Sequence, residues 1–584
     1  MIRKCSRVAV IGAGPAAAIA TDALVKEQAF DTIRVFERKG IAGGTWVYGS
    51  EHSPKIPSLR ALLEHNADQP VLIPASFPSE TDRSESINSH QLRYSDTGIH
   101  QYLHSNLPPQ TMCFTKEPIP EILSERTLAQ YGSNAPFRHR EVIRGWVEDI
   151  FVRGGTLELI EFNTTVERAE KKGHEWILTL RKETPGSKKN YWWQEVFDAL
   201  VVATGHFSLP YVPSIPGLAE YDEKYPGSIK HSKHFRSVDE FRGKLEYCIL
   251  RINFQKVIIV GGSVSAFDAL HEIRLVAQHP VISSLKEPIP AFGWGAFTHP
   301  HVAIKPPIAR FHQDGRIDFC DGSSVERVDI VLFATGYDYS FPFLPEHVFD
   351  IEDQTLAFIG MVSGGLTFRV FEWQAVAVAR LLAARARLPV RHLMQRWELA
   401  RLASRGDEVQ FFDISSDFEE YFEGLRRFAG EPAAGSIGRT LPKYDPKWKD
   451  AFLEVVVKAR LQWWDQERRK AEEQIRVLED RRKADKDSGS HMVRDDIKAQ
   501  KMMDLYQITA DMDRNKTFYK MQKFTADGLF LAVHWAALRA NPEIYAYRFD
   551  VPSPFECDFK DQPHHSLDNV FIWGLLKELL PPHQ

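Results

Sequence analysis

The stretch Arg7-Val8-Ala9-Val10-Ile11-Gly12-Ala13-Gly14-Pro15-Ala16-Ala17 decides the fold. Residues 7–11 form a short, mostly apolar run of the kind that makes a strand buried on both faces of a parallel sheet. Residues 12–17 make a glycine-rich turn, and Ala18 to Gln28 is Ala-rich and free of proline, as a helix requires. A second strand, Ile33-Arg34-Val35-Phe36, runs into Glu37, 25 residues after Gly12. Strand, Gly-x-Gly turn, helix, strand and acid in that order spell a dinucleotide-binding βαβ unit. Gly12 permits the tight turn and Gly14 a close backbone approach to a pyrophosphate. Ala17 stands where a third glycine is usual, at a position that needs only close packing of helix on strand. The anion would rest on the helix N-terminus, where free N–H groups and the helix dipole favour it. Glu37 would accept hydrogen bonds from ribose hydroxyls.

Working outward, Gly43-Gly44-Thr45-Trp46 follows the second strand, with glycines that allow another close backbone approach. A Gly-Gly-Thr-Trp loop in this place resembles the loop near the flavin in proteins with two dinucleotide sites, which implies FAD and not NAD. Further on, Asp198 to His206 is a buried strand ending on Thr204-Gly205, and Asp329 to Tyr337 repeats it with Thr335-Gly336 about 130 residues later. Between them lies a second unit. Lys256 to Val260 is its strand, Gly261-Gly262-Ser263-Val264-Ser265-Ala266 its turn, and Phe267 to Ala277 its helix.

The second turn carries Ser263 where a glycine would bring the backbone nearest to a phosphate. Lys286, just past the strand Pro280 to Ser284, would suit a 2′-phosphate and hence NADPH, and reads equally as a solvated surface charge. Glu287, 26 residues after Gly261, could instead hold a ribose hydroxyl.

Bulk composition sets the frame. A chain of 584 residues calls for about three or four domains. Its 43% hydrophobic and 26% charged residues are ordinary for a globular protein, and a net charge of −5 gives no reason to expect nucleic acid. No run of 18 apolar residues is present, and the first strand begins too early to leave room for a signal peptide. Five scattered cysteines form no C-x-x-C pair, so neither a metal site nor a redox dithiol is expected, and a cytoplasmic location is.

Residues 50–95 are rich in Pro, Ser and Asn and read as an irregular insertion. Asn106, ahead of Pro108-Pro109, reads from spacing as a helix C-cap before a turn. Glu141 to Arg153 is an amphipathic helix, and residues 162–166 and 175–180 are strands of a meander. Trp294, Phe297 and Phe311 suit core and pocket equally. Pro446 to Asp487 is a long helical stretch, charged from Gln466 onward, that ends in a polar linker.

Tyr225 to Phe235 supplies a family motif. The pattern aromatic-x-Gly-x-x-x-His-x-x-x-Phe, with Gly227, His231 and Phe235, lies between two glycine turns and resembles the identifying motif of the flavin-containing monooxygenases. Tyr225 replaces the usual Phe, and no Trp-Pro follows Phe235, unlike the Baeyer–Villiger relatives. The resemblance covers about residues 5–445 and is closest to soluble fungal-type members. It implies an α/β fold of two nested Rossmann-like domains. These are an FAD domain at 1–207 and 330–445 and an inserted NADPH domain at 208–329, followed by a charged helix and linker at 446–492.

The activity implied is oxygenation of a small molecule bearing a soft N or S nucleophile, with O2 as co-substrate, through a hydroperoxyflavin. Gly12, Gly14, Ala17, Glu37, Gly43, Gly44, Thr45 and Trp46 would hold FAD; Gly261, Ser263, Ser265 and Lys286 would hold NADPH; Gly205 and Gly336, at the two strand ends, would let the chain pass close to a bound cofactor. Asn106 resembles the Asn at the flavin edge where oxygen transfer occurs, and His231 is structural. A homodimer is the assembly left open. The rival readings are a disulfide reductase, against which the missing C-x-x-C counts, a Baeyer–Villiger enzyme, and a degenerate flavoprotein scaffold.

Residues 493–584 are of another kind. Tyr545 to Asp550 and His565 to Gly574 resemble the C-terminal end of a type-B carboxylesterase of the α/β-hydrolase fold, with His565 at the place of the triad histidine. No G-x-S-x-G nucleophile elbow accompanies it, so no hydrolysis is expected.

Overall fold

The computed structural model describes residues 5–49, 58–64, 67–83, 97–242, 244–246, 251–289, 293–345, 354–406 and 409–488. The esterase-like segment, His565 and the linker ahead of them lie outside the described residues. The chain divides into two units, one of residues 1–240, 256–274 and 279–468, the other of residues 241–255, 275–278 and 469–584. Within the second, Lys244–Glu246 pairs antiparallel with Arg251–Asn253. Apart from the end of the last helix, everything below concerns the first unit.

Two five-stranded parallel sheets organise it. In the first, β1 (Arg7–Ile11) is central, flanked by β2 (Thr32–Phe36) and β3 (Ala199–Val202), with Ile160–Glu161 and Leu356–Phe358 at the edges. In the second, β4 (Val257–Val260) lies between β5 (Ile330–Phe333) and Val281–Ser284, with Ile229–His231 and Val302–Lys305 outermost. β3, β4 and β5 are buried at every residue, which is why the sequence shows continuous apolar runs there and no alternation. Helix α1 (Pro15–Glu27) follows β1, and α2 (Val264–Ile273) follows β4. Proline at the head of α1 fits, because the first N–H of a helix has no partner to lose.

The domain boundary expected at residue 329 falls too early. β5 is bonded along its length to β4, Val260 standing opposite Phe333, so the chain leaves the second sheet only after Phe333 and rejoins the first at Leu356. The insertion at 50–95 also has structure: Ser79–Asp82 pairs with Lys189–Phe197 as the edge of a four-stranded antiparallel meander. Its Ser-Glu-Thr-Asp sequence has no apolar alternation, and the pairing partner alone makes it a strand. The meander's Trp176, Leu178, Leu180 and Phe197 share a core with Ala9, Ile11, Phe36 and Val202. Phe297 and Phe311 are core, whereas Trp294 is exposed. The helical stretch from 446 is broken into Lys447–Ala451, a π-helical segment Phe452–Lys458 and Ala459–Ser488.

Helix α3 (Thr367–Leu382) packs on α1, and α4 (Arg391–Arg405) follows it. The buried guanidinium of Arg439 ties this layer together, bonding Asp22 of α1, Glu372 of α3 at 2.7 Å and Glu117 at 3.0 Å. Burial of one cation among three carboxylates leaves each charge with a partner, the condition under which buried ions persist. Among the described residues no helix is long and apolar enough to cross a membrane.

Candidate functional site

The two sheets end alike. Ile11 is level with Val202 and Phe36, so the next residues, Gly12, Ala203 and Glu37, emerge together from the strand ends. Gly12 has φ +103°, and a β-carbon there would stand 2.7 Å from the Ala203 carbonyl oxygen. In the second sheet Gly261 has φ +132°, and a β-carbon would stand 2.4 Å from the carbonyl oxygen of Ala334. Each turn thus leans on the Ala of an Ala-Thr-Gly strand end. Beyond those alanines, Gly205 and Gly336 are left-handed and have nothing within 4 Å of where a β-carbon would sit. Open space at the carboxyl ends of the strands is where this class of sheet takes its ligands.

At the first turn the Glu37 carboxylate is buried and accepts the Ala13 N–H at 2.7 Å and the Lys39 N–H at 2.9 Å. It braces the turn and keeps lone pairs for a ribose hydroxyl. The Gly-Gly-Thr-Trp loop closes on the turn: the Gly43 N–H donates to the Ala13 carbonyl at 2.9 Å, and Gly44 touches Gly14 backbone to backbone. α1 starts on Gly14 with no side chain capping it. Ala17 is fully buried, and the buried indole N–H of Trp46 has no acceptor among the described residues. An uncapped helix start, a cradle that any β-carbon would fill and an orphaned buried donor suit the pyrophosphate and ring of FAD.

The second turn offers the same anion seat with different furniture. α2 starts on Ser263, which is exposed and makes no capping bond, and Ser265 lies one residue inside the helix. Lys286 and Glu287 are exposed beside it; a β-carbon on Gly262 would stand 2.4 Å from the Glu287 carbonyl oxygen. The residues fit NADPH: an uncapped helix start for the pyrophosphate and an ammonium for the 2′-phosphate.

His231 is fully buried and ties the motif strand to the second sheet's strand end. Its Nδ1 accepts the Lys233 N–H at 3.1 Å, which leaves the proton on Nε2, facing the Gly336 carbonyl at 3.0 Å. Burial takes its pKa down to about 3, so the ring is neutral at ordinary pH. Gly227 turns at φ +84°, and Phe235 packs edge-on against His100 at 5.2 Å. Lys233 is buried too, its ammonium donating to the Ser208 carbonyl; burial, then Arg38 and Arg236, hold its pKa well below the usual lysine range.

Asn106 is half-buried, and its side chain makes no hydrogen bond with the described residues. No helix ends there, which removes the C-cap reading; the next element, Pro109–Met112, begins after it. Ser105 clamps the turn instead: its N–H bonds the Arg138 carbonyl at 2.7 Å, and its hydroxyl accepts the Arg138 N–H at 3.0 Å. Sequence reading missed that clamp. It also missed an aromatic group beside the strand ends, in which His206 stacks with Phe207 at 4.2 Å and Tyr339 at 4.9 Å, and Tyr339 with Phe412 at 4.6 Å. His206 and Phe207 directly follow Thr204-Gly205, so position could have flagged them, but Phe412 comes from far along the chain.

Comparison with known proteins identifies the family. The model of the family Flavin-binding monooxygenase-like matches residues 89–288 and 295–430, more than half of the chain. Flavin-containing monooxygenase ustF2 of Aspergillus flavus is 24% identical over 510 residues, 78% of this chain and 98% of that one. Flavin-containing monooxygenase iboF of Amanita muscaria is 27% identical over 496 residues, 74% of this chain and 89% of that one. In fold, S-allyl-L-cysteine S-oxygenase from Allium sativum superposes with a TM-score of 0.58 at 22% identity, covering 81% of this chain and 99% of that one. The chain belongs to the flavin-binding monooxygenase-like family. It is an oxidoreductase that uses FAD, NADPH and O2 to oxygenate a small molecule at a soft nucleophilic atom.

Proposed function

We propose that the two Ala-Thr-Gly strand ends divide the cofactors between them, FAD at Gly12, Gly14, Ala17, Glu37, Gly43, Gly44, Thr45, Trp46 and Gly205, and NADPH at Gly261, Ser263, Ser265, Lys286 and Gly336. The paired geometry of Gly12 on Ala203 and Gly261 on Ala334 carries this reading. The redox chemistry, hydride from NADPH and one oxygen atom from O2 with the other leaving as water, belongs to the bound cofactors. The chain's own part is to hold and orient them and to keep water out. Glu37 fixes the adenosine half. His231 holds the second sheet's strand end to the motif strand, and Lys233 ties the motif to Ser208 just past the first strand end, neither exchanging a proton. Asn106, whose amide makes no hydrogen bond with the described residues, offers its hydrogen-bonding capacity to the site of oxygen transfer, on a turn that Ser105 and Arg138 clamp.

The substrate is a thioether or amine. Relatives described as an S-oxygenase and as flavin-containing monooxygenases support this, and the uncharged aromatic group at His206, Phe207 and Tyr339 offers such a molecule a wall to stack on. Purified protein should carry flavin absorbance and consume NADPH faster when a thioether or tertiary amine is added. A colourless protein that binds no added FAD overturns the proposal; faster turnover with a ketone alone moves it to the Baeyer–Villiger reading.

A further inference from the structure

Among the described helices of about its length or longer, helix α4 is the one with no buried residue. Val390, at its N-cap, is 59% exposed, Leu393 45% and Trp397 54%. Spacings of three and four residues place these three on one stripe. Leu399, at 66%, adds a further exposed apolar group. Arg387 precedes the helix, and Arg391 and Arg396 lie within it, against Glu398 as the one acid from 387 to 399. That stretch is net +2 in a chain of net charge −5.

The C-terminal end of the helix is tethered. Arg401 donates to the Phe411 carbonyl at 2.6 Å, the Asp413 carbonyl at 2.8 Å and Asp417 at 3.0 Å, while Arg405 bonds the Asp413 carbonyl, Ser416 and Asp417. The arginines of the last two turns are therefore spent on holding the helix, and the exposed stripe lies N-terminal to them. An apolar stripe with an exposed Trp, bordered by arginines and low in overall hydrophobicity, is the make-up of a helix that lies in a lipid headgroup layer. An indole sits well at that depth, and guanidinium groups meet lipid phosphates.

We propose that α4 is a surface anchor that lays this enzyme on an anionic bilayer, with Val390, Leu393 and Trp397 entering the headgroup region and Arg387 and Arg396 contacting acidic lipid. The rest of the chain is net acidic and is repelled from such a surface, so the basic stripe also fixes which side faces the membrane. The net charge of +2 on this stretch complements acidic lipid, and that complementarity singles out a bilayer as the occupant.

Full-length protein is sedimented with vesicles of phosphatidylcholine alone or with about one third phosphatidylserine, a content that gives a strongly negative surface. Binding should be at least about tenfold tighter to the anionic vesicles and should weaken as salt is raised. The double variant Leu393→Ser with Trp397→Ser, and separately Arg387→Glu with Arg396→Glu, should each lose at least about tenfold in that binding. NADPH oxidation with added substrate should stay at the parent rate in both, showing that the variants are folded. Equal binding to both vesicle types overturns the proposal, as does parent-like binding by the variants. Size-exclusion chromatography in which Leu393→Ser with Trp397→Ser turns a dimer into a monomer, with no vesicle binding by either, also overturns it and assigns the stripe to a second copy of the chain.

Discussion

The Cα of Gly14 stands 2.6 Å from the point that a β-carbon of Gly44 would occupy, which joins two loops 30 residues apart by backbone alone. Gly44 also has φ +58°, so a side chain there is strained as well as blocked. Gly44→Ala should therefore part the Gly-Gly-Thr-Trp loop from the first turn and lower FAD affinity by at least about tenfold, a cost of roughly 1.4 kcal/mol. Flavin content after gel filtration measures it. A variant that keeps full flavin would show that the two loops can separate without loss of the cradle.

Glu37 braces the turn through the Ala13 and Lys39 N–H groups, and in the proposed arrangement it also accepts from the ribose of FAD. Glu37→Gln turns one acceptor oxygen into a donor that opposes a backbone N–H, and loss of a hydrogen bond to a charged group costs about 1.5–3 kcal/mol. The expected outcome is weaker FAD binding together with a lower melting temperature. If the melting temperature of the FAD-free protein is unchanged, the brace contributes nothing to folding.

Much of this was legible in the sequence because the carriers are local. Gly12, Gly14, Glu37, Gly261 and His231 sit at fixed offsets from strands whose apolar runs are unmistakable, and the paired strand ends announce themselves by repeating Ala-Thr-Gly. What was not legible depends on distant backbone. Nothing in the sequence says that Ala203 supports Gly12, that Ser105 is clamped to Arg138, or that Ser79–Asp82 becomes a strand by borrowing the edge of Lys189–Phe197. The boundary at 329 failed for the same reason, because which sheet β5 joins is settled by its pairing with β4 and not by its composition.

Lys286 is exposed beside the start of α2. Its removal as Lys286→Ala should raise KM for NADPH about tenfold while leaving NADH use unchanged, since only the 2′-phosphate needs an ammonium. An unchanged ratio of the two coenzymes would leave Lys286 a surface charge.

Asn106 makes no hydrogen bond with the described residues, so Asn106→Ala should leave the melting temperature and flavin content at parent values. Product formed per NADPH should fall and hydrogen peroxide rise, because a lost polar contact at the reacting group costs on the order of 3 kcal/mol. Parent-like coupling of NADPH to product would remove Asn106 from the oxygen-transfer site.

Acid should destabilise the fold through its buried histidines. His100, His231, His234 and His299 have pKa values taken down to about 3, and His104 and His206 to about 4, in each case chiefly by burial. A folded-state pKa below the unfolded value of about 6.5 means that the unfolded chain binds the proton first. The stability these neutral rings preserve is complete above pH ~6.5 and is lost progressively as pH falls toward the folded values, by up to about 1.4 kcal/mol per pH unit for each ring. His100 is a suitable probe, because both its ring nitrogens are buried without a hydrogen-bond partner among the described residues and its ring lies against those of Tyr102 and Phe235. His100→Phe should flatten the fall of the urea midpoint between pH 6 and pH 4, a window set by those directions, and make the variant more resistant than the parent at pH ~5. An identical pH slope in variant and parent would show that His100 is protonated equally in the folded and unfolded chains.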